Sequence, residues 1–278
     1  MPNDFNQQVI EEFRANGGRV GGFFEGARLL LLTTVGARSG VPHTTPLGYL
    51  PDGDRVLVIA SAGGAPHHPA WFHNLVANPR VKVESGAFTH EARAVVLEGA
   101  ERDRAFARAA EADPGWAGYQ AKTSRVIPVV ALEPVPGPPN PNAKSWGAAL
   151  KLIHDAFRRE LALIRKEIAG SGPGLGAQLR VNCLTVCRGL HHHHTGEDAG
   201  MFPFLAGRRP ELTPVLDRLR REHEKIAALL AELQEVVSTD GADPLRVLSD
   251  VERLTDELES HLAYEEEELI PILDAPAP

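Results

Sequence analysis

The chain changes its apolar periodicity half-way along. In residues 43–61 two mostly apolar runs, HTTPLGYL and RVLVIAS, flank PDGD, a turn signal, and predict a β-hairpin. RVKVES and FTHEARAVVLEG repeat the arrangement around Gly86, and VIPVVALEP is a last β-rich run. Short helices are expected in DFNQQVIEEFRANG, HPAWFHNLVANP and ERDRAFARAAEA. The first half therefore reads as an α+β domain with a largely antiparallel sheet. From residue 145 the period becomes helical, over roughly 145–169, 176–202, 211–237 and 243–270. The breaks fall at GSGPG, at Pro203 through Pro210, and at STDGADP. Four helices with short connections predict an antiparallel four-helix bundle.

Between the halves lies PVPGPPNPN, five prolines in nine residues, which favours extended backbone and excludes a core element. The expected organisation is a domain at 1–134, a linker at 135–144 and the bundle at 145–273. The charge is uneven. Residues 1–134 carry 13 Lys+Arg against 14 Asp+Glu, and the rest carry 16 against 23. Neither half has the basic excess of a nucleic-acid binder. Cys183 and Cys187, four apart, read as small buried hydrophobes rather than a disulfide. The apolar run Leu29–Leu32 is far too short to cross a bilayer, and no signal-peptide order precedes it. A cytoplasmic protein is expected. The segment Phe5–Phe24 is amphipathic enough to raise a peripheral membrane contact.

The bundle contains a repeat. HHTGEDAGMFPFL from His193 and HLAYEEEELIPIL from His261 both fit H-x-x-x-E-x-x-x-[LM]-[FI]-P-x-L. Spacing of i, i+4 puts each His–Glu pair on one helix face, within an apolar stripe. His154 and His223 recur on the other two helices at nearly the same offset. Inward polar groups are costly unless paired, and a bound metal is one way to satisfy them. Four imidazoles and two carboxylates suit two bridged ions, with iron favoured over manganese or zinc. The other members of the run His191–His194 are expected on other sides of the helix, with His194 nearest the ligand stripe. The acidic run Glu266–Glu268 reads as a solvated face.

These residues resemble the hemerythrin-like family of HHE cation-binding domains, over about 145–273. The resemblance implies a non-haem di-iron site with His154, His193, Glu197, His223, His261 and Glu265 as ligands, the glutamates bridging. It leaves open binding or sensing of O2 or NO, peroxide chemistry, iron handling, and electron exchange with the first domain. One position departs from the family pattern, which places two ligating histidines four apart on the third helix. Here Ala227 follows His223 and Leu219 precedes it, so one coordination position is open or differently filled.

In the first domain, TTVGARSGVPHTTPLGYL offers a guanidinium, hydroxyls and loop amides to an anion. ASAGGAPHHPAWFHNL runs from a glycine-rich strand end into a helix start, a place to hold a planar cofactor. With FNQQVIEEFRANGGRVGG, LLLLTTVGARSG and PGWAGYQAKTSRVIPVVALEP, these stretches resemble the deazaflavin-dependent nitroreductase family, over about residues 4–134. That resemblance implies a split β-barrel using coenzyme F-420. It implies hydride transfer from the reduced deazaflavin to a quinone or nitroaromatic acceptor. It places Ala37, Arg38, Ser39, His43, Thr44, Thr45, Pro46 and Leu47 on the anionic tail. Ile59, Ala60, Ser61, Ala62, Trp71, Phe72, His73 and Asn74 would line the ring and ribityl region. Ser61 would polarise the ring, and Trp116 and Tyr119 would pack on the acceptor. His43, Ala62 and His67 stand where family members often carry Arg or Lys. The whole chain then reads as a deazaflavin oxidoreductase fused to a di-iron bundle. The alternative is a sensor or metal-binding protein with a degenerate cofactor module.

Overall fold

The computed structural model describes residues 4–136, 140–239 and 241–275. The chain divides into two compact units between Asn142 and Ala143, with Gly176–Gln178 grouped with the first.

The first unit is an antiparallel barrel. Its strands are β1 (Leu29–Val35), β2 (Pro42–Asp52), β3 (Arg55–Ile59), β4 (Arg80–Glu84), β5 (Phe88–Val96) and β6 (Val129–Pro134). They run in the order β4-β1-β2-β3-β6-β5, and a β4–β5 pairing closes the ring. Both expected hairpins form: β2 pairs with β3 across the PDGD turn, and β4 with β5 across Gly86. A two-residue strand, β7 (Asn140–Pro141), extends the β5 edge from the proline-rich segment. Residues 137–139 of the expected linker lie outside the described residues.

Alternation along the strands builds two packed faces. Leu30, Leu32, Val58, Ala60, Val83, Ala92, Val130 and Leu132 form the inner cluster, joined by Trp71, Phe72 and Leu75 of helix α2 (Ala70–Ala77). Leu29 and Leu31 face the other way, under Val9, Ile10 and Phe13 of helix α1 (Asp4–Ala15). Leu57, Ile59, Val129 and Ala131 meet Ala105, Phe106 and Ala109 of helix α3 (Gly99–Ala112). Each large apolar side chain so buried contributes roughly 1.5–3 kcal/mol. The strand β1 was not expected. Its four leucines are covered on both faces, so no alternation betrays it. Helix α4 (Gly115–Ala121) was also unforeseen.

The second unit is helical: α5 (Trp146–Ala169), α6 (Ala177–Gly196), α7 (Phe202–Arg208), α8 (Thr213–Ser238) and α9 (Pro244–Leu273). Ser145 caps α5 by accepting from Ala148 N at 3.2 Å, and Asp243 caps α9 by accepting from Leu245 N at 3.0 Å. The break expected from Pro203 begins later. A wide π turn over Glu197–Met201 carries α6 into α7, and Pro203 sits in the first turn of α7, where no amide hydrogen is needed.

Two apolar layers divide this unit. Leu161, Leu190, Ile226, Leu230, Leu254, Leu258 and Leu262 belong to the larger. Phe202, Leu205, Leu216, Leu219 and Leu269 form the smaller. Cys183 and Cys187 are buried as thiols in the larger, and burial pushes the Cys187 thiol up to about 12. No helix among the described residues is long and apolar enough to cross a membrane.

Candidate functional site

Polar groups occupy the level between those two apolar layers. α5 supplies His154, α6 and the π turn supply His193, His194 and Glu197, α8 supplies His223, and α9 supplies His261 and Glu265. All are buried or nearly so. They form two groups whose donor atoms lie within 4.8 Å of one another: His154, His193, Glu197 and Glu265, and then His194, His223 and His261. Each carboxylate reaches both groups. Glu197 lies 3.2 Å from His193 Nε2 through Oε1 and 3.6 Å from His223 Nε2 through Oε2. Glu265 Oε2 lies 3.5 Å from His154 Nε2 and 3.6 Å from His261 Nε2.

The opposite ring nitrogens are anchored. His154 Nδ1 donates to Glu266, His223 Nδ1 to Asp198 and His261 Nδ1 to Glu222, each at 3.0 Å. Such outer carboxylates fix the tautomer and turn the Nε2 lone pairs inward. Arg158 Nη1 donates to Glu266 at 2.6 Å and Arg218 Nε to Glu222 at 2.8 Å, holding those anchors in turn. Burial raises the Glu266 carboxyl, but its bonds to His154 and Arg158 outweigh this and bring it to about 2. Glu266 is thus built into the site, which corrects its reading as part of a solvated face.

The inner atoms have no such partners. The Nε2 atoms of all five histidines and both oxygens of Glu197 and Glu265 are buried without a hydrogen bond. Each orphan costs roughly 1–3 kcal/mol. Burial drives the imidazoles toward the neutral form, His261 to about 4. Burial also raises the carboxylates, Glu265 to about 8. Neutral imidazoles and carboxylates that lack a counter-charge are the groups a cation satisfies. The donor set fits a metal centre.

The barrel unit holds a cavity of about 1270 Å³. Of the expected tail and ring residues it gathers Ala37, Arg38, Ser39, His43, Thr44, Thr45, Trp71, His73 and Asn74. Helix α1 adds Asn6, Gln7, Ile10 and Arg14, which no sequence signal had marked. Among the described residues no acidic side chain lines it, so the lining suits an anionic ligand with a planar part. Asn74 sets the loop between β1 and β2: its Nδ2 donates to Thr34 Oγ1 at 3.1 Å and its Oδ1 accepts from Ala37 N at 3.0 Å.

The remaining expected residues stand elsewhere. Pro46 and Leu47 lie in β2, Ile59 and Ala60 are buried at the end of β3, and Phe72 is packed in the inner cluster. Ser61 Oγ caps the turn Ala62–Gly64 by accepting from Gly63 N at 3.4 Å. Ala62 takes a left-handed φ of 47°, unusual for a residue with a Cβ. Trp116 and Tyr119 meet edge to face at 6.0 Å on α4. Gly64 packs on that helix so closely that a Cβ would sit 2.8 Å from Tyr119 O.

Two regions of the chain match known families. Residues 6–134 match the model of the F-420H(2)-dependent quinone reductases. A relative so named from Mycobacterium tuberculosis is 41% identical over 124 residues, covering 43% of this chain and 83% of that protein. The chain belongs to the F-420H(2)-dependent quinone reductase family. A second Mycobacterium tuberculosis protein, named a putative F-420H(2)-dependent quinone reductase, is 36% identical over 113 residues, 41% of this chain and 95% of its own length. A solved F-420-H2 dependent reductase is 41% identical over 38% of this chain and 94% of its own, with a TM-score of 0.36. Residues 148–273 match the hemerythrin HHE cation binding domain.

Two elements of this quinone reductase family member escaped sequence reasoning. Arg125, the second basic residue of KTSRVIPVV, braces the Ser61 turn. It donates to Ala60 O at 3.2 Å, Ser61 O at 2.6 Å and Ala65 O at 2.9 Å, and meets His68 Nδ1 at 3.1 Å. His194 is buried inside the histidine cluster, whereas His191 and His192 are exposed as expected. Neighbouring residues differ by 100° around a helix. Here both can point inward, because His193 turns to His154 and Phe157 and His194 turns to His223 and His261.

Proposed function

We propose that the barrel unit is a reductase that carries a hydride from reduced coenzyme F-420 to a quinone or nitroaromatic acceptor. The family relationship supports this, and the cavity free of acidic side chains carries it at the level of residues. The deazaflavin would supply the hydride chemistry. Arg38, Ser39, His43, Thr44 and Thr45 would hold its anionic tail. Trp71, His73 and Asn74 would border the ring, and Ser61, Trp116 and Tyr119 would act at the ring and acceptor. The chain's own work is then to orient the reactants and exclude water.

The helical unit, read as an antiparallel four-helix bundle, would hold a non-haem di-iron centre. Glu197 and Glu265, each facing both histidine groups, would bridge the ions. Bound iron would supply redox or O2 and NO binding chemistry. Asp198, Glu222 and Glu266 would hold the protons on the outer ring nitrogens. The orphaned Nε2 and carboxylate atoms carry this reading.

The test is metal analysis of the purified full-length protein, followed by stopped-flow mixing with reduced F-420 and a soluble quinone under anaerobic conditions. Iron near two per chain and quinone-dependent reoxidation of the cofactor are expected. Absence of turnover with retained cofactor binding would favour the sensor reading of the barrel. Absence of metal would overturn the reading of the helical unit.

A further inference from the structure

We infer that His194 is itself a metal ligand, and that with His223 and His261 it forms an imidazole half-site able to hold one divalent cation when the mixed half-site is empty. The inference rests on the metal-binding reading above and deepens it. His194 is 5% exposed, and its Nε2 has no hydrogen-bond partner. A histidine that merely packed at this level would be expected to satisfy that nitrogen or to be replaced by an apolar residue. The repeat supplies the comparison: Leu262 occupies the matching place after His261 and is fully buried in the larger apolar cluster.

The geometry gathers three nitrogens at one point. The His194 ring stacks on His223 at 4.2 Å and 13°, and meets His261 edge-on at 5.1 Å. The three ligand atoms lie within 4.8 Å of one another. Two metal–imidazole bonds of about 2.0–2.1 Å span roughly 4 Å, so little closure is needed. Asp198 and Glu222 already fix the tautomers of His223 and His261. The other group is chemically unlike it, two imidazoles and two carboxylates. Nitrogen-only and mixed donor sets differ in the ions they prefer, so the two halves should fill unequally.

Cobalt(II) titration of the metal-stripped full-length protein tests this, with bound metal counted after dialysis and the visible ligand-field spectrum recorded. Wild type should bind two ions per chain, and His194→Leu one. His154→Ala, which damages only the mixed group, should retain one ion with a nitrogen-rich spectrum. The double variant should bind none, and His192→Ala, at an exposed neighbour, should still bind two. Far-ultraviolet circular dichroism checks each fold, and His194→Gln replaces His194→Leu if the latter unfolds. Two ions and an unchanged spectrum in the His194 variant would overturn the inference while leaving the metal reading intact. Loss of both ions in His154→Ala would overturn the independence of the half-site. No binding by wild type would overturn both readings.

Discussion

Replacing Arg125 by methionine keeps the stem of the side chain and removes its five donors. Three backbone carbonyls, at Ala60, Ser61 and Ala65, then lose a charged partner, as does His68. Hydrogen bonds to a charged group contribute about 1.5–3 kcal/mol each. Ser61 and Ala65 are only half-buried, so water recovers part of the loss. A net destabilisation of about 2–4 kcal/mol is expected for the barrel unit. The cofactor effect should exceed what stability alone predicts, because the brace also holds Ala62 in its left-handed conformation. Urea unfolding followed by tryptophan fluorescence gives the first quantity. Titration of oxidised F-420, followed by its own fluorescence, gives the second, with at least a tenfold weaker dissociation constant expected. Arg125→Lys should recover part of both, since one ammonium can serve some of the carbonyls. An unfolding midpoint and a cofactor affinity both equal to wild type in Arg125→Met would refute the reasoning.

Other perturbations follow from the same contacts. Asn74→Ala removes the two bonds that pin the loop at Ala37, about 1–2 kcal/mol, and should weaken F-420 binding roughly tenfold in the same titration. Glu266→Gln leaves His154 less firmly oriented and should lower cobalt affinity about 10–100-fold in competition with a chelator. The Arg14 guanidinium, hydrogen-bonded to Glu84, holds that carboxyl below its ordinary value. A depressed carboxylate stabilises the fold above its unfolded pKa, and the gain is lost as pH falls through the folded value. Wild-type urea midpoints should therefore drop on acidification below about pH 4.5, and Glu84→Gln should flatten that slope; parallel slopes would refute the assignment.

Much of this was legible from pattern alone. Both hairpins announced themselves through turn chemistry, and the His–Glu pairs through a repeat in which each pair shares a helix face. What escaped depends on burial from two sides or on long-range contact. Leu29–Leu32 look like a featureless run because both faces of β1 are covered. Arg125 touches residues about sixty positions away, a distance no local period encodes. His194 is expected beside the ligand stripe and not within the cluster because a stripe argument allows one inward direction per helix, whereas α6 turns donor atoms of two groups to either side of it. Glu266 was hidden in an acidic run, where only the structure shows which residue is anchored to His154 and Arg158.

The π turn at Glu197–Met201 has a consequence for sequence change. A wide turn holds one residue more than the α-helical path across the same rise. Deleting a residue there would close the turn to an ordinary α-helical path and leave the segments on either side facing as they do now. Phe202 and Leu205 would keep their places in the smaller apolar layer, and the change would fall on the turn itself, where Glu197 and Asp198 stand. The extra residue is therefore spent on aiming these two carboxylates, and a deletion in this stretch should be tolerated by the fold before it is tolerated by the histidine cluster.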